Sequence, residues 1–301
     1  MNREEMLCKV VSILKQKKFS IETFFSSNTC FDIIAKNQEI TLILKIYENI
    51  DSIRKEQGEE LKKLAQAINA TGIIIGKKTK VFELKDNTIY SRYNIQTITT
   101  KTFEQILNKQ IPEIKYFKGR ETVDIDFNEF NKKRKELHIS FEELANKIGL
   151  ATSTLQRFEQ NPSTTLETAK KLEKELNQEL VKKIDLLEHE EKTIDFDDAP
   201  QEKLLEKIQY LGLKMAVFNH APFKAFGKTE DGILISTGKG KFDIPKKAIE
   251  LKKTSTIINS DSIIVTQEYK YKQENGVSII EESDLDTITK IKDLKKLISE
   301  R

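Results

Sequence analysis

Apolar side chains recur every three or four positions near the start of the chain, with Met6, Val10, Ile13 and Leu14 on one stripe, so residues 4–17 are predicted to form an amphipathic helix. The period then shortens to two. Residues 31–35 and 40–46 form alternating or continuous apolar runs, the pattern of neighbouring strands. Asp51 stands as a cap before a helix whose Ile53, Leu61, Leu64, Ala65 and Ile68 share a face, although Gly58 interrupts it. Residues 72–76 read as a buried strand, 89–90 and 96–99 as weaker strands, and 102–107 as a short closing helix. Helix, strands, helix, strands and helix in that order predict an α/β sheet domain.

The last third of the chain repeats the order, with a helix at 202–213, strands at 223–226 and 233–237, a helix at 245–252 and a buried strand at 262–266. Residues 276–280 leading into a helix at 281–288 parallel 94–98 leading into 102–107. Two related α/β lobes around a helical middle are therefore expected, the alternative being that two small α/β domains look alike by chance.

That middle follows an expected linker at 114–125, which carries Lys115, Lys118 and Arg120. A helix is predicted over 128–137. Ser140-Phe-Glu-Glu is then a capping box, in which the serine hydroxyl accepts the Glu143 N–H and the glutamate reaches back. Leu144 and Ile148 face inward, Ala145 is small enough for a close helix crossing, and Gly149 supplies a left-handed turn. Leu150, Leu155 and Phe158 complete that core. A run with Leu172, Leu176, Leu180, Ile184 and Leu187 at helical spacing follows over 166–187, suited to core packing or to pairing with a second chain.

Residues 140–159, with Asn161-Pro-Ser and the helix at 166–172, resemble the Cro/CI (XRE-type) helix-turn-helix. The arrangement of this unit between two α/β lobes is similar to that of the archaeal HTH-type transcriptional regulatory proteins, as are Phe31-Asp-Ile-Ile and Leu42-Ile-Leu-Lys. Ala151 replaces a common hydroxyl cap, leaving Thr152 as substitute. Asn161 stands where glycine is frequent, and asparagine tolerates positive φ. The resemblance implies a third helix over 152–160 entering the major groove, with Thr152, Ser153, Thr154, Gln156 and Arg157 exposed. Glutamine can pair with adenine and arginine with guanine, while Ser140 and its helix N-terminus face phosphate. An intramolecular pair of Arg157 with Glu159 or Glu167 is the competing use of that arginine.

Composition narrows the classes. Of 301 residues, 38% are hydrophobic and 33% charged, so two or three compact cores are affordable, and no apolar run approaches the roughly 20 residues of a spanning helix. The N-terminus lacks a leader pattern, and Cys8 and Cys30 lack metal or disulfide spacing, so a reducing cytoplasm is expected. Net charge is +3, but residues 1–120 carry 21 basic against 14 acidic groups while 121–180 carry 9 against 12. Without a basic tail, DNA binding requires a shaped surface, helped by the basic run at 132–135 and the N-terminal lobe.

A rival lies in the N-terminal lobe, where Asp32 and Lys45 on adjacent strands resemble the PD-(D/E)xK nuclease arrangement. That chemistry needs a second carboxylate two residues before the lysine, where Ile43 stands, and Glu39 falls outside the spacing. Asp231 and Lys239 are weaker still. His138, His189 and His220 are scattered, and residues 237–240 read as a loop rather than a phosphate cradle.

The expectation is therefore an α/β plus all-α protein, with a central Cro/CI-like bundle flanked by two related lobes of decayed restriction-endonuclease-like order. Its domains are 1–113, the linker 114–125, the helix-turn-helix domain 126–190, an acidic linker 191–200 and 201–301. It is read as a cytoplasmic, homodimeric, sequence-specific double-stranded DNA-binding transcriptional regulator, with no catalytic residue, metal, cofactor or membrane partner. A metal-dependent nuclease and a non-catalytic interaction scaffold are the alternatives.

Overall fold

The computed structural model describes residues 1–24, 29–187 and 195–301, which form two compact units, one of residues 1–74 with 187–301 and the other of residues 75–186. His189 and the first residues of the expected acidic linker lie outside the described residues.

In the first unit, α1 (Arg3–Gln16) opens on a capping box between Asn2 and Glu5 and buries Met6, Val10, Ile13 and Leu14, as its stripe predicted. It packs on a sheet whose strands β1 (Ser20–Thr23), β2 (Ile33–Lys36) and β3 (Thr41–Asn49) run antiparallel, with Ile33 opposite Leu44. After β3 comes α2 (Lys55–Ala67), which begins later than Asp51: that residue sits in a 3-10 turn whose N–H is taken by the Asn49 side chain, so it caps no α-helix. The chain passes to the second unit within β4 (Thr71–Lys78).

The second unit continues through the β5 (Thr88–Arg92) and β6 (Ile95–Ile98) hairpin and α3 (Thr100–Leu107). Residues 114–125, expected as a linker, are instead a hairpin of β7 (Ile114–Phe117) and β8 (Arg120–Asp124). Lys118 and Gly119 have φ of 48° and 83°, the mirror-image turn whose twist suits paired strands. Four helices follow: α4 (Phe127–Glu136), α5 (Phe141–Ile148), the short α6 (Thr152–Gln156) and α7 (Leu166–Leu176), with β9 (Ser163–Thr164) between the last two and paired to β8. Asp126 caps α4 and Thr165 caps α7.

The expected helical run to Leu187 stops at Leu176. Asn177 takes the left-handed conformation at φ 48°, and the Glu173 carboxylate accepts the N–H groups of Leu180 and Val181, tying the chain down beyond the helix. Leu172, Leu176 and Leu180 are consumed by the unit's own core.

Back in the first unit, α8 (Lys203–Tyr210) precedes β10 (Met215–Val217), β11 (Ala225–Gly227) and β12 (Ile233–Thr237), then α9 (Gly240–Ile258) crosses over to β13 (Asp261–Thr266). The sheet ends with β14 (Gln273–Glu274) and β15 (Val277–Glu281), and α10 (Glu282–Leu285) and α11 (Ile291–Ser299) close the chain. Strands β12, β13 and β15 are parallel neighbours, and the order is β10-β11-β12-β13-β15-β14. Helix α9 starts five residues before the expected Pro245, because the Asp243 carboxylate holds the Lys239 N–H at its first turn. Among the described residues, no helix is long and apolar enough to cross a membrane.

Candidate nucleic-acid interface

The four-helix unit is organised around Phe130, whose ring lies 5.9 Å from Phe127, 6.2 Å from Phe141 and 6.2 Å, edge-on, from Phe158. Leu144, Ala145, Ile148, Leu155 and Phe158 are buried in the same core, and Leu150 packs against it half-buried. Val123 and Ile125 of the β8 segment also belong to this core. A buried side chain of these sizes contributes about 1.5–3 kcal/mol, so the apolar side of α5 and α6 fixes which residues face outward.

Helix α5 carries the predicted capping box, with the Ser140 N–H donating to Glu143 Oε2 at 2.8 Å and the Glu143 N–H to Ser140 Oγ at 3.1 Å. The backbone N–H of Ser140 holds the Glu143 carboxyl below the ordinary glutamate range. Gly149 ends the helix at φ 72° and ψ 40°, and the Leu150 N–H reaches the Ala145 carbonyl at 2.9 Å. This reversal launches α6, which tightens into a 3-10 turn at Arg157–Glu159 rather than continuing as one α-helix to residue 160.

On α6 and the 3-10 turn that continues it, Ser153, Gln156 and Arg157 are exposed, whereas Thr152 and Thr154 are half-buried. Leu155 and Phe158 occupy the opposite side, so the exposed side chains share one face. Glu167 pairs with Lys171 at 2.9 Å, and among the described residues no carboxylate holds the Arg157 guanidinium. The competing intramolecular pair is therefore not formed.

Two expectations about the ends of this helix fail. Ala151 is the N-cap with no side-chain bond, and Thr152, one residue inside the helix, does not replace it. Asn161 has no positive φ; its side chain instead accepts the Ser163 N–H at 3.3 Å, forming a local turn that serves where glycine was expected.

The basic run at 132–135 offers less free charge than its composition suggests. The Arg134 guanidinium stacks 4.1 Å over Phe141 and donates to the Ile139 carbonyl at 2.7 Å and to Asn131 Oδ1 at 2.8 Å, bracing the turn between α4 and α5. Lys132 lies 3.8 Å from Glu129 and Lys133 3.4 Å from Glu136. His138 takes the left-handed conformation just after α4, a backbone role.

In the N-terminal lobe, Asp32 and Lys45 meet as the sequence suggested, but they meet in the interior. Asp32 is 0% and Lys45 2% exposed. The Asp32 carboxylate receives Lys45 Nζ at 2.9 Å and Arg3 Nη2 at 2.8 Å on one oxygen, and the Ile46 N–H at 2.8 Å on the other. Lys45 also donates to the Thr29 carbonyl. Ile43 is a buried apolar residue, so among the described residues a hard divalent cation finds neither a second carboxylate two positions before Lys45 nor an uncommitted oxygen pair on Asp32. These residues do not fit a catalytic magnesium site. His220 has its Nδ1 3.3 Å from Glu60 and accepts the Cys30 N–H on its carbonyl at 2.6 Å, while Lys239 heads α9 and Asp231 is exposed before β12.

Comparison with known proteins agrees with both parts. A helix-turn-helix family profile matches residues 131–182, and one for the PD-(D/E)XK superfamily domain matches residues 3–112. A relative from Pyrococcus horikoshii is 32% identical over 308 residues, covering 99% of this chain and 98% of its own length. The chain belongs to this archaeal family. Other members are a Methanocaldococcus jannaschii protein, 30% identical with 94% of this chain and 93% of its own covered, and an Archaeoglobus fulgidus protein, 28% identical with 97% and 96% covered. All three carry the name "Putative HTH-type transcriptional regulatory protein". The helix-turn-helix is thus the XRE type that residues 140–159 resemble, set beside a PD-(D/E)XK-like domain in a mixed α/β chain.

Proposed function

We propose that this protein is a sequence-specific double-stranded DNA-binding transcriptional regulator that reads the major groove with α6. The observation that carries the reading is the exposed Arg157 guanidinium, held by no carboxylate among the described residues, next to Gln156 on a segment whose other side is locked into the core by Leu155 and Phe158. Arg157 suits guanine and Gln156 adenine, each bidentate pair discriminating by about 1–3 kcal/mol. Ser153, Thr152 and Thr154 line the same helix, and the Ser140 hydroxyl retains a hydrogen to donate to phosphate. Selection from random duplexes tests this: wild type enriches a defined sequence, and Arg157→Ala loses preference at one base pair while its circular dichroism is unchanged. Equal selection by both proteins refutes it.

Helix-turn-helix proteins commonly place two copies on half-sites about 34 Å apart, so we read the protein as a homodimer on DNA. Sedimentation with a two-half-site duplex measures this directly.

The PD-(D/E)XK match favours a nuclease as second reading. The committed Asp32 oxygens and the apolar Ile43 support a non-catalytic lobe instead, part of two related lobes (1–113 and 201–301) around a helix-turn-helix domain at 126–190. The shared order supports that kinship: an antiparallel β1-β2-β3 set matches β10-β11-β12, and the β5–β6 hairpin before α3 matches β14–β15 before α10. Magnesium-dependent cleavage of duplex DNA by the wild-type chain, abolished by EDTA, would establish the nuclease. Absence of any salt-dependent duplex binding would leave only a scaffold.

A further inference from the structure

Resting on the reading that α6 binds duplex DNA, we infer that the β7–β8 turn is a second DNA-contacting element, a wing that grips the phosphate backbone beside the recognition helix. The turn presents Phe117, 57% exposed, with Lys118 Nζ 5.2 Å above its ring, followed by Gly119 and the exposed Arg120. Phe117 and Arg120 are cross-strand partners and so share one face. The opposite face, with Tyr116, packs on Phe82 at 5.1 Å and on Tyr90 at 5.2 Å, which fixes the hairpin rather than leaving it loose.

The charges around the turn separate cleanly. Lys115 is spent on Asp124 at 2.5 Å, and Glu121 on Lys85 at 2.5 Å. Among the described residues, no carboxylate holds Lys118 or Arg120. Two free cations beside an exposed aromatic, on a tight turn, suit a polyanion with flat bases better than an acidic protein surface.

Placement supports the same partner. Val123 of β8 is buried in the helix-turn-helix core, and Asp124 pairs with Ser163, which follows the 3-10 turn of the recognition segment. At about 3.3 Å per residue, the four steps from Asp124 to Arg120 put the turn about 13 Å from that pair. This is less than half of the roughly 34 Å repeat of the double helix, so both elements fit on one turn of DNA.

The test measures duplex affinity of the full chain by fluorescence anisotropy between 50 and 200 mM salt, using the duplex that the wild type selects. Lys118→Asn with Arg120→Gln removes both charges while keeping an Asn-Gly turn that favours the same backbone. Loss of two phosphate contacts lowers the slope of log affinity against log salt by about 1.8, a roughly twelvefold smaller loss of affinity across that range, without changing the selected sequence. An unchanged slope overturns the wing but leaves α6 as reader. No binding by the wild type overturns both readings, and a changed sequence preference would reassign the turn from backbone grip to base reading.

Discussion

Asp32 offers a direct measurement of what the nuclease-like lobe is for. Truncating it to alanine removes the acceptor for Lys45, Arg3 and the Ile46 N–H together. Lys45, 2% exposed, then keeps the Thr29 carbonyl and the Tyr47 ring, 5.6 Å from its Nζ, but among the described residues no carboxylate, and remains an uncompensated charge in the interior. Breaking such a buried pair from one side costs about 3–5 kcal/mol, a large share of the roughly 5–15 kcal/mol by which a domain is stable. Replacing both partners by apolar residues, Asp32→Leu with Lys45→Met, avoids the stranded charge, so most of the loss should return. Urea unfolding of the full chain followed by far-ultraviolet circular dichroism reads both, with an early transition expected for the single variant alone. A single-variant loss below about 1 kcal/mol, or a double variant no better than the single, refutes the structural role.

Three further outcomes follow from the helix-turn-helix unit. Gly149→Ala places a Cβ into open space at φ 72°, so it should cost about 1–2 kcal/mol by backbone conformation alone, with Gly149→Asn milder in the same urea assay. Phe130→Ala, at the centre of the aromatic cluster, should cost about 3–5 kcal/mol and abolish duplex binding at temperatures where the wild type still binds. The Glu143 carboxyl is held below its ordinary range, so its stabilising effect is present above the unfolded glutamate pKa and fades as pH falls through the lower folded value; Glu143→Gln should flatten the acid side of the stability profile, measured by thermal melts from pH 6 downward.

The helix-turn-helix was legible because its signals are local. A serine and a glutamate three apart, a glycine after Ile148 and apolar residues at helical spacing determine the two ends of α5 and its inward face locally. The length of the third helix was not, since its tightening at Arg157–Glu159 answers to the Asn161 turn and to Phe158 reaching Phe130. Leucine spacing carried the α7 pattern past its end, because periodicity continues through Asn177 while the backbone reverses there. The β7–β8 hairpin was missed for want of glycine at both turn positions: Lys118 adopts the left-handed conformation usually left to asparagine or glycine. Alternation of Tyr116 and Val123 with polar neighbours, flanking Lys118-Gly119, was the available clue. For Asp32 and Lys45 the sequence showed adjacency but not depth, which depends on α1 delivering Arg3 over the sheet.

The seam between β8 and the helices bears on how the helix-turn-helix could ever be separated. Ile125 N–H bonds to the Pro162 carbonyl, Asp126 N–H to Leu180, Lys182 N–H to Asp124 and Ile184 N–H to Pro112, so the strand is stitched to the bundle on both sides. A fragment cut at residue 126 would surrender Val123 and Ile125 from its interior and expose the floor beneath Phe130. The smallest autonomous helix-turn-helix fragment therefore begins upstream of the hairpin, and in the intact chain any tilt of that strand carries α6 with it.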